Sequence, residues 1–289
     1  MMEQEKMNIQ WYPGHMTKTR RQIEADLKQV DAVCEIVDAR IPMSSRNPDI
    51  DAICGTKPRI IVLNRMDLAD PAATKRWAQY FKSKGMAVIA TDCKSRRGIA
   101  DFTPAARTAC AEKIRRDSAR GMNRPIRVMV VGIPNVGKST LINQISGRKG
   151  AKAENRPGVT RGKQWVTVDN SLLLLDTPGI LWPKFEDPEV GMMLAYTGAV
   201  KEDVIDIEEL ACRLMVLLHK YYPQALLERY KVEAEPGTSG YELIQLAGKK
   251  RGYLLARGEI DTERMSKVLI DEFRSGKLGK FTLEMPEEV

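Results

Sequence analysis

Apolar residues follow two different rhythms along this chain. In its first part they form short, nearly continuous runs, AVCEIVDAR from Ala32, RIIVLN from Arg59, MAVIATD from Met86 and IRVMVVG from Ile126. Each run is rich in Val and Ile and ends in polar residues or glycine, as strands buried on both faces of a parallel sheet do. Helical spacing covers about Ala72 to Lys84, where Gly85 stops it, and Ile99 to Arg116. The polar stretch DSARGMNRP links this run to a second one of the same kind, in which IRVMVVG leads through a glycine-bearing turn into a helix from Ser139. Gln164 to Val168 and Ser171 to Leu175 then read as a hairpin about Asp169-Asn170.

After about Pro183 the strand signals stop. Leu210, Leu214, Leu217 and Leu218 recur at helical spacing, and breaks fall near Pro223, at EPGTSG, at Gly252 and near Gly258. The expected architecture is α/β over residues 1–183, with a mostly parallel, doubly wound sheet, followed by a small all-helical domain over 184–289. The last part of the helical region interleaves Lys and Arg with Tyr253, Phe273 and Phe281.

Composition narrows the function classes. Lys and Arg number 46 against 38 Asp and Glu, a net charge of +8 that makes polyanions candidate partners. No apolar run approaches the roughly 18 residues that span a bilayer, so no membrane partner is expected. The opening residues include Glu3 and Glu5 and lack the apolar core of a secretory leader, which predicts a cytoplasmic address. Cys34, Cys54, Cys93, Cys110 and Cys212 contain no C-x-x-C pair and are odd in number, so they read as reduced packing residues.

One segment carries specific chemistry. Gly132-Ile-Pro-Asn-Val-Gly137-Lys138-Ser139 matches G-x-x-x-x-G-K-[ST], directly after an apolar strand and at the start of a helix. Glycines there let successive backbone N–H groups turn toward phosphate oxygens, and the following helix presents its positive end to the same anion. Asn135, Val136, Gly137, Lys138, Ser139 and Thr140 are the expected nucleotide contacts of this loop. Lys138 would bridge the β- and γ-phosphates, a catalytic role, and Ser139 would give its hydroxyl to Mg²⁺. Downstream, Asp176-Thr177-Pro178-Gly179 closes an apolar strand, placing Asp176 to hold Mg²⁺ and the Gly179 N–H to meet the γ-phosphate. Thr160, in the intervening polar loop, is the hydroxyl that would complete Mg²⁺ coordination when γ-phosphate is present, and it counts with Lys138 among the expected catalytic residues.

Asn64-Arg65-Met66-Asp67 resembles the N-K-x-D guanine motif of GTPases, with arginine where lysine is usual. The Asp67 carboxylate can accept two guanine N–H groups, a donor pair that adenine lacks. No N-K-x-D or T-K-x-D follows Gly179, so the base motif precedes the phosphate loop. Thr91-Asp92-Cys93-Lys94 stands where the second base loop belongs. A doubly wound sheet brings all these loops to the carboxyl ends of its strands, so the altered order leaves the site geometry possible.

With these motifs the sequence resembles the circularly permuted GTPases of the YlqF/YawG group. The likeness spans nearly the whole chain and includes Trp11-Tyr12-Pro13-Gly14-His15-Met16, Asp38-Ala39-Arg40-Ile41-Pro42, PGVT, DTPG and YELIQLAGKKRG. The resemblance implies a P-loop GTPase domain and a role in late assembly of the large (50S) ribosomal subunit. Such a protein would contact rRNA and ribosomal proteins in the GTP state and leave after hydrolysis, acting as a monomer. It also implies a catalytic role for His15, because Ile180 stands where many GTPases carry a water-orienting glutamine, and K⁺ binding at Asn135. Two other readings of the residues stay open here: a nucleotide-gated RNA-binding module with negligible turnover, and a tRNA-directed GTPase.

Overall fold

The computed structural model describes residues 23–147, 164–177, 187–200, 206–256 and 258–288. Six strands form one sheet: β1 Ala32–Asp38, β2 Arg59–Asn64, β3 Ala87–Thr91, β4 Ile126–Gly132, β5 Gln164–Asp169 and β6 Leu172–Asp176. Their order is β3-β2-β1-β4-β6-β5, and every pairing is parallel except that of β5 with β6. The chain runs outward from β1 to β3, returns to β4 beside β1, then crosses to the opposite edge at β5 and folds back into β6 beside β4. The direction reverses between β1 and β4, and a doubly wound sheet opens its binding crevice at such a switch point.

The burial of each strand explains its sequence. All positions of β1 and β2 are buried, so an uninterrupted apolar run suits both faces. β5 lies at the edge and is largely exposed, which is why it alternates polar with apolar residues.

Between these strands lie α1 Ile50–Cys54, α2 Pro71–Ser83, α3 Phe102–Ala109, α4 Ala111–Ala119 and α5 Lys138–Ser146. Asp70 caps α2 by accepting from the N–H groups of Ala72 and Ala73, and Pro71 supplies a preset first turn. Ala73, Trp77 and Phe81 then fall on one face and are buried, each large side chain contributing about 1.5–3 kcal/mol. The single helix expected over Ile99 to Arg116 is instead a 3₁₀ turn, α3 and α4, divided at Cys110. Polarity misplaced the next boundary too, since Asp117 to Ala119 belong to α4 and not to the linker.

Helices α6 Pro188–Tyr196, α7 Ile207–Tyr221, α8 Pro223–Tyr230, α9 Gly240–Arg251 and α10 Thr262–Ser275 follow. Asp206 caps α7, a reciprocal Ser239/Glu242 pair caps α9, and Asp261 caps α10. Leu210, Leu214 and Leu218 of α7 are buried against α9 and α10, in a hydrophobic cluster continuous with one face of the sheet. Phe273 and Phe281 are buried in that cluster and stack on each other at 6.0 Å. Of the aromatics that interleave with Lys and Arg along this stretch, these two are core residues. Tyr253 is half-buried, with the Arg264 guanidinium 4.3 Å from its ring centre.

The chain end returns to the sheet. Phe281 N–H donates to the Leu68 carbonyl, Leu283 N–H to the Arg40 carbonyl, and the Trp77 indole to the Glu284 carbonyl. The Glu284 carboxylate accepts from the N–H groups of Met43 and Ser44. No helix among the described residues is long and apolar enough to cross a membrane.

Candidate functional site

The loop after β4 begins with a close approach. A side chain at Gly132 would bring a Cβ within 2.8 Å of the Ile36 carbonyl oxygen, so only glycine lets β4 leave the sheet this near β1. Asn135 and Gly137 then adopt left-handed backbone with φ of 60° and 101°. Such residues turn neighbouring N–H groups to one side of the loop, the concave arrangement that binds anions. Helix α5 starts at Lys138 and adds its positive end to the same place.

Lys138 is buried, and its Nζ donates to Asp176 Oδ1 at 2.7 Å and to the Thr177 carbonyl. Asp176 ends β6 and pairs in register with Val130 of β4, whose carbonyl accepts from the Thr177 hydroxyl at 2.7 Å. A cation and a carboxylate are thus held together beside the anion-binding loop. Ser139 and Thr140, in the first turn of α5, are half-buried. The Ser139 hydroxyl and the Asp176 carboxylate are hard oxygen donors, the chemistry that fits Mg²⁺.

The upstream motif lies against this loop. The Asn64 side chain donates to the Val136 carbonyl at 2.7 Å and accepts from the Thr91 hydroxyl at 3.1 Å, so each end of its amide has one of its two possible bonds made. Val136 itself is buried. Arg65 takes a left-handed backbone (φ 60°) and reaches the same loop, its Nη2 donating to the Asn135 carbonyl at 2.6 Å. Asp67 is half-buried, and among the described residues nothing donates a hydrogen bond to its carboxylate. The 91–94 loop is adjacent, since Met66 N–H donates to the Thr91 carbonyl. Asp92 holds that loop by accepting from the N–H groups of Lys94 and Ser95.

Asp38 and Arg40 belong to the same constellation in a way that spacing along the chain did not reveal. The Arg40 guanidinium donates twice to the Asp38 carboxylate, at 2.9 and 2.8 Å, its backbone N–H donates a third time at 3.0 Å, and Arg65 Nη1 stands 3.4 Å from Asp38 Oδ2. Burial alone would raise the Asp38 pKa, but the charge and hydrogen bonds of Arg40, joined by the charge of Arg65, hold it below the ordinary carboxylate value. Asn135 also reaches away from the loop, its Nδ2 donating to the Gly198 carbonyl at 3.2 Å. The sequence signals for Asp38 were its place at a strand end and in the Asp38 to Pro42 segment of the resemblance, neither of which gave it a role, and for Gly198 there was none.

The structure thus brings Asn64, Arg65, Asn135, Val136 and Gly137 into direct contact or close approach, with Lys138, Ser139 and Thr140 continuing into α5 and Asp176 paired to Lys138. His15, Thr160 and Gly179 lie outside the described residues. Cys93, beside the base loop, is a free thiol whose pKa burial pushes up to about 11. All five cysteines are free and four are buried.

Known proteins match this chain over most of its length. A family model described as 50S ribosome-binding GTPase matches residues 127–239, beginning on β4 and leaving the upstream Asn64 to Asp67 outside it. Ribosome biogenesis GTPase A of Bacillus cereus is 47% identical over 98% of this chain and 95% of its own length. The protein of that name from Priestia megaterium is 46% identical over 98% of each. A solved structure of GDP-bound YlqF is 28% identical, covers 92% of this chain and 100% of that one, and superposes with a TM-score of 0.66. Sheet order, loop geometry and near full-length identity agree, and the chain belongs to the ribosome biogenesis GTPase A family and is a GTPase.

Proposed function

We propose that the chain is a GTP-hydrolysing switch in late assembly of the large (50S) ribosomal subunit, binding rRNA in the GTP state and leaving after hydrolysis. The observation that carries the nucleotide part is the contact between Asn64 and Val136, which joins a guanine-type motif to a phosphate loop. The subunit rests on the matching 50S ribosome-binding GTPase family and on the names of the relatives. The net charge of +8 supports an RNA partner.

In this reading Asn64, Arg65 and Asp67 hold the base, with Asp67 accepting the guanine N–H pair. Residues 135–140 and Gly179 hold the phosphates, and Lys138 leaves Asp176 for the β- and γ-phosphates. Ser139, Thr160 and Asp176 are the residues that would hold Mg²⁺, which supplies positive charge to the phosphate oxygens. Asn135 would hold K⁺, and His15 would act in hydrolysis in place of a glutamine. The protein is a cytoplasmic monomer with residues 1–183 as nucleotide domain and 184–289 as ribosome-facing domain, and loss of the γ-phosphate is felt by the second through the segment after Asp176. Turnover is slow alone and rises on the subunit.

Co-sedimentation with large subunits tests this. More of the chain should pellet with a GTP analogue than with GDP, and equal pelleting in both states would refute it. His15→Ala should keep GTP binding and lose subunit-stimulated turnover, and Na⁺ in place of K⁺ should slow hydrolysis.

A further inference from the structure

The end of α6 is a junction between the phosphate loop and the last helix. Gly198 (φ 75°) closes α6, with Ala199 N–H donating to the Leu194 carbonyl and Gly198 N–H to the Ala195 carbonyl. This paired cap places Gly198 in the left-handed position that ends a helix and leaves its own carbonyl facing away from the helix ladder. Arg274 of α10 fills the other side. Its Nε donates to the Tyr196 carbonyl at 3.0 Å and its Nη2 to the Ala195 carbonyl at 2.6 Å, a cation seated on the negative end of α6. The same guanidinium lies against Gly198, where a Cβ would meet Arg274 Nε at 3.6 Å. The Gly198 carbonyl in turn accepts from Asn135 Nδ2 of the phosphate loop.

We infer that Arg274 is a positioning residue for Asn135: by clamping the cap of α6 it fixes the Gly198 carbonyl, and that carbonyl sets the orientation of the Asn135 amide in the nucleotide site. A carbonyl only accepts, so the contact commits the nitrogen end of the amide to Gly198 and leaves Oδ1 as the end that can serve a cation or a donor. Asn135 also holds a left-handed backbone and gives its own carbonyl to Arg65, so a change in its side chain acts at the turn that shapes the loop. The coupling runs both ways. The α10 end that carries Arg274 is itself seated on the base side, where a Cβ at Gly276 would meet Leu68 Cδ2 at 2.6 Å and where Phe281 N–H bonds the Leu68 carbonyl. The last helix and the segment after it therefore reach residues beside both halves of the proposed nucleotide site, Gly198 on the phosphate side and Leu68 on the base side.

This inference rests on the reading of residues 132–140 as a phosphate loop, and a double-mutant cycle on the full chain separates the two. Release of a fluorescent GDP is measured for the wild type, Arg274→Ala, Asn135→Ala and the double variant. Arg274→Ala should release GDP about tenfold faster, the factor expected for a lost charged hydrogen bond. The double variant should release it no faster than Asn135→Ala alone, because both changes cut one chain of contacts. Arg274→Lys, which keeps one donor, should fall between, and it replaces Arg274→Ala in the cycle if the alanine variant does not fold. An unchanged release rate in Arg274→Ala, or single effects that multiply in the double variant, overturns the inference. A wild-type chain that takes up no fluorescent GDP overturns the phosphate-loop reading beneath it.

Discussion

The side-chain amide of Asn64 donates to the backbone carbonyl of Val136 across 2.7 Å, although the two residues stand 72 positions apart. Because Thr91 donates to the other end of the same amide, this one side chain ties together three loops at the carboxyl edge of the sheet. A Cβ at Gly137 would sit 2.4 Å from Asn64 Nδ2, so the glycine of the phosphate loop is also what gives Asn64 room.

Asn64→Ala should therefore damage stability and binding together. The Thr91 hydroxyl and the Val136 carbonyl would lose their partner in a buried place, a cost of about 1–3 kcal/mol. Urea denaturation should show the loss, and a fluorescent-GDP titration should show affinity down by about tenfold or more.

Asp67→Asn should change which base is chosen and leave the fold alone, since Asp67 receives no hydrogen bond among the described residues. The amide would meet the guanine 2-amino group with a donor of its own, while a 2-oxo group in that place would accept from it. Xanthosine nucleotides should then bind better than guanosine nucleotides in competition titrations, and unchanged preference for guanine would remove Asp67 from the base site.

Lys138→Met should abolish nucleotide binding and destabilise the protein by about 3–5 kcal/mol, because Asp176 would be left charged and buried without its cation. Adding Asp176→Asn should recover part of the stability and none of the binding. Paired denaturation and titration curves on the single and double variants check both halves.

Asp38 should give the protein an acid limb. Its folded pKa lies below the ordinary aspartate value of 3.8, so its contribution is fully present above that value and is lost as pH falls through the lower folded one. Urea denaturation from about pH 5 to about pH 2 should show stability falling with pH, and Asp38→Asn should flatten that fall. An equally steep limb in Asp38→Asn would assign it to other carboxylates.

Much of this architecture was legible in advance, for local reasons. RIIVLN and IRVMVVG mark β2 and β4 to the residue, because a strand buried on both faces needs an unbroken apolar run and stops where polarity or glycine intervenes. The short α1 and the helix α6 carried too little periodicity to be read. Spacing did not place Phe273 and Phe281 either: basic residues surround them along the chain, and packing of the chain end against α10 is what buries them.

The residues themselves pointed to the chemistry proposed: glycines for a phosphate loop, a lysine and a serine behind it, an asparagine and an aspartate for a base, and an order that a doubly wound sheet permits. Tertiary structure alone decided that Asp38 and Arg40 back Arg65, that Asn135 turns its amide to Gly198, and that Arg274 closes the cap behind it. Local propensity acts over a few residues and leaves its mark in spacing, whereas a hydrogen bond between distant segments depends on where packing delivers each backbone, and no short stretch of sequence carries that information.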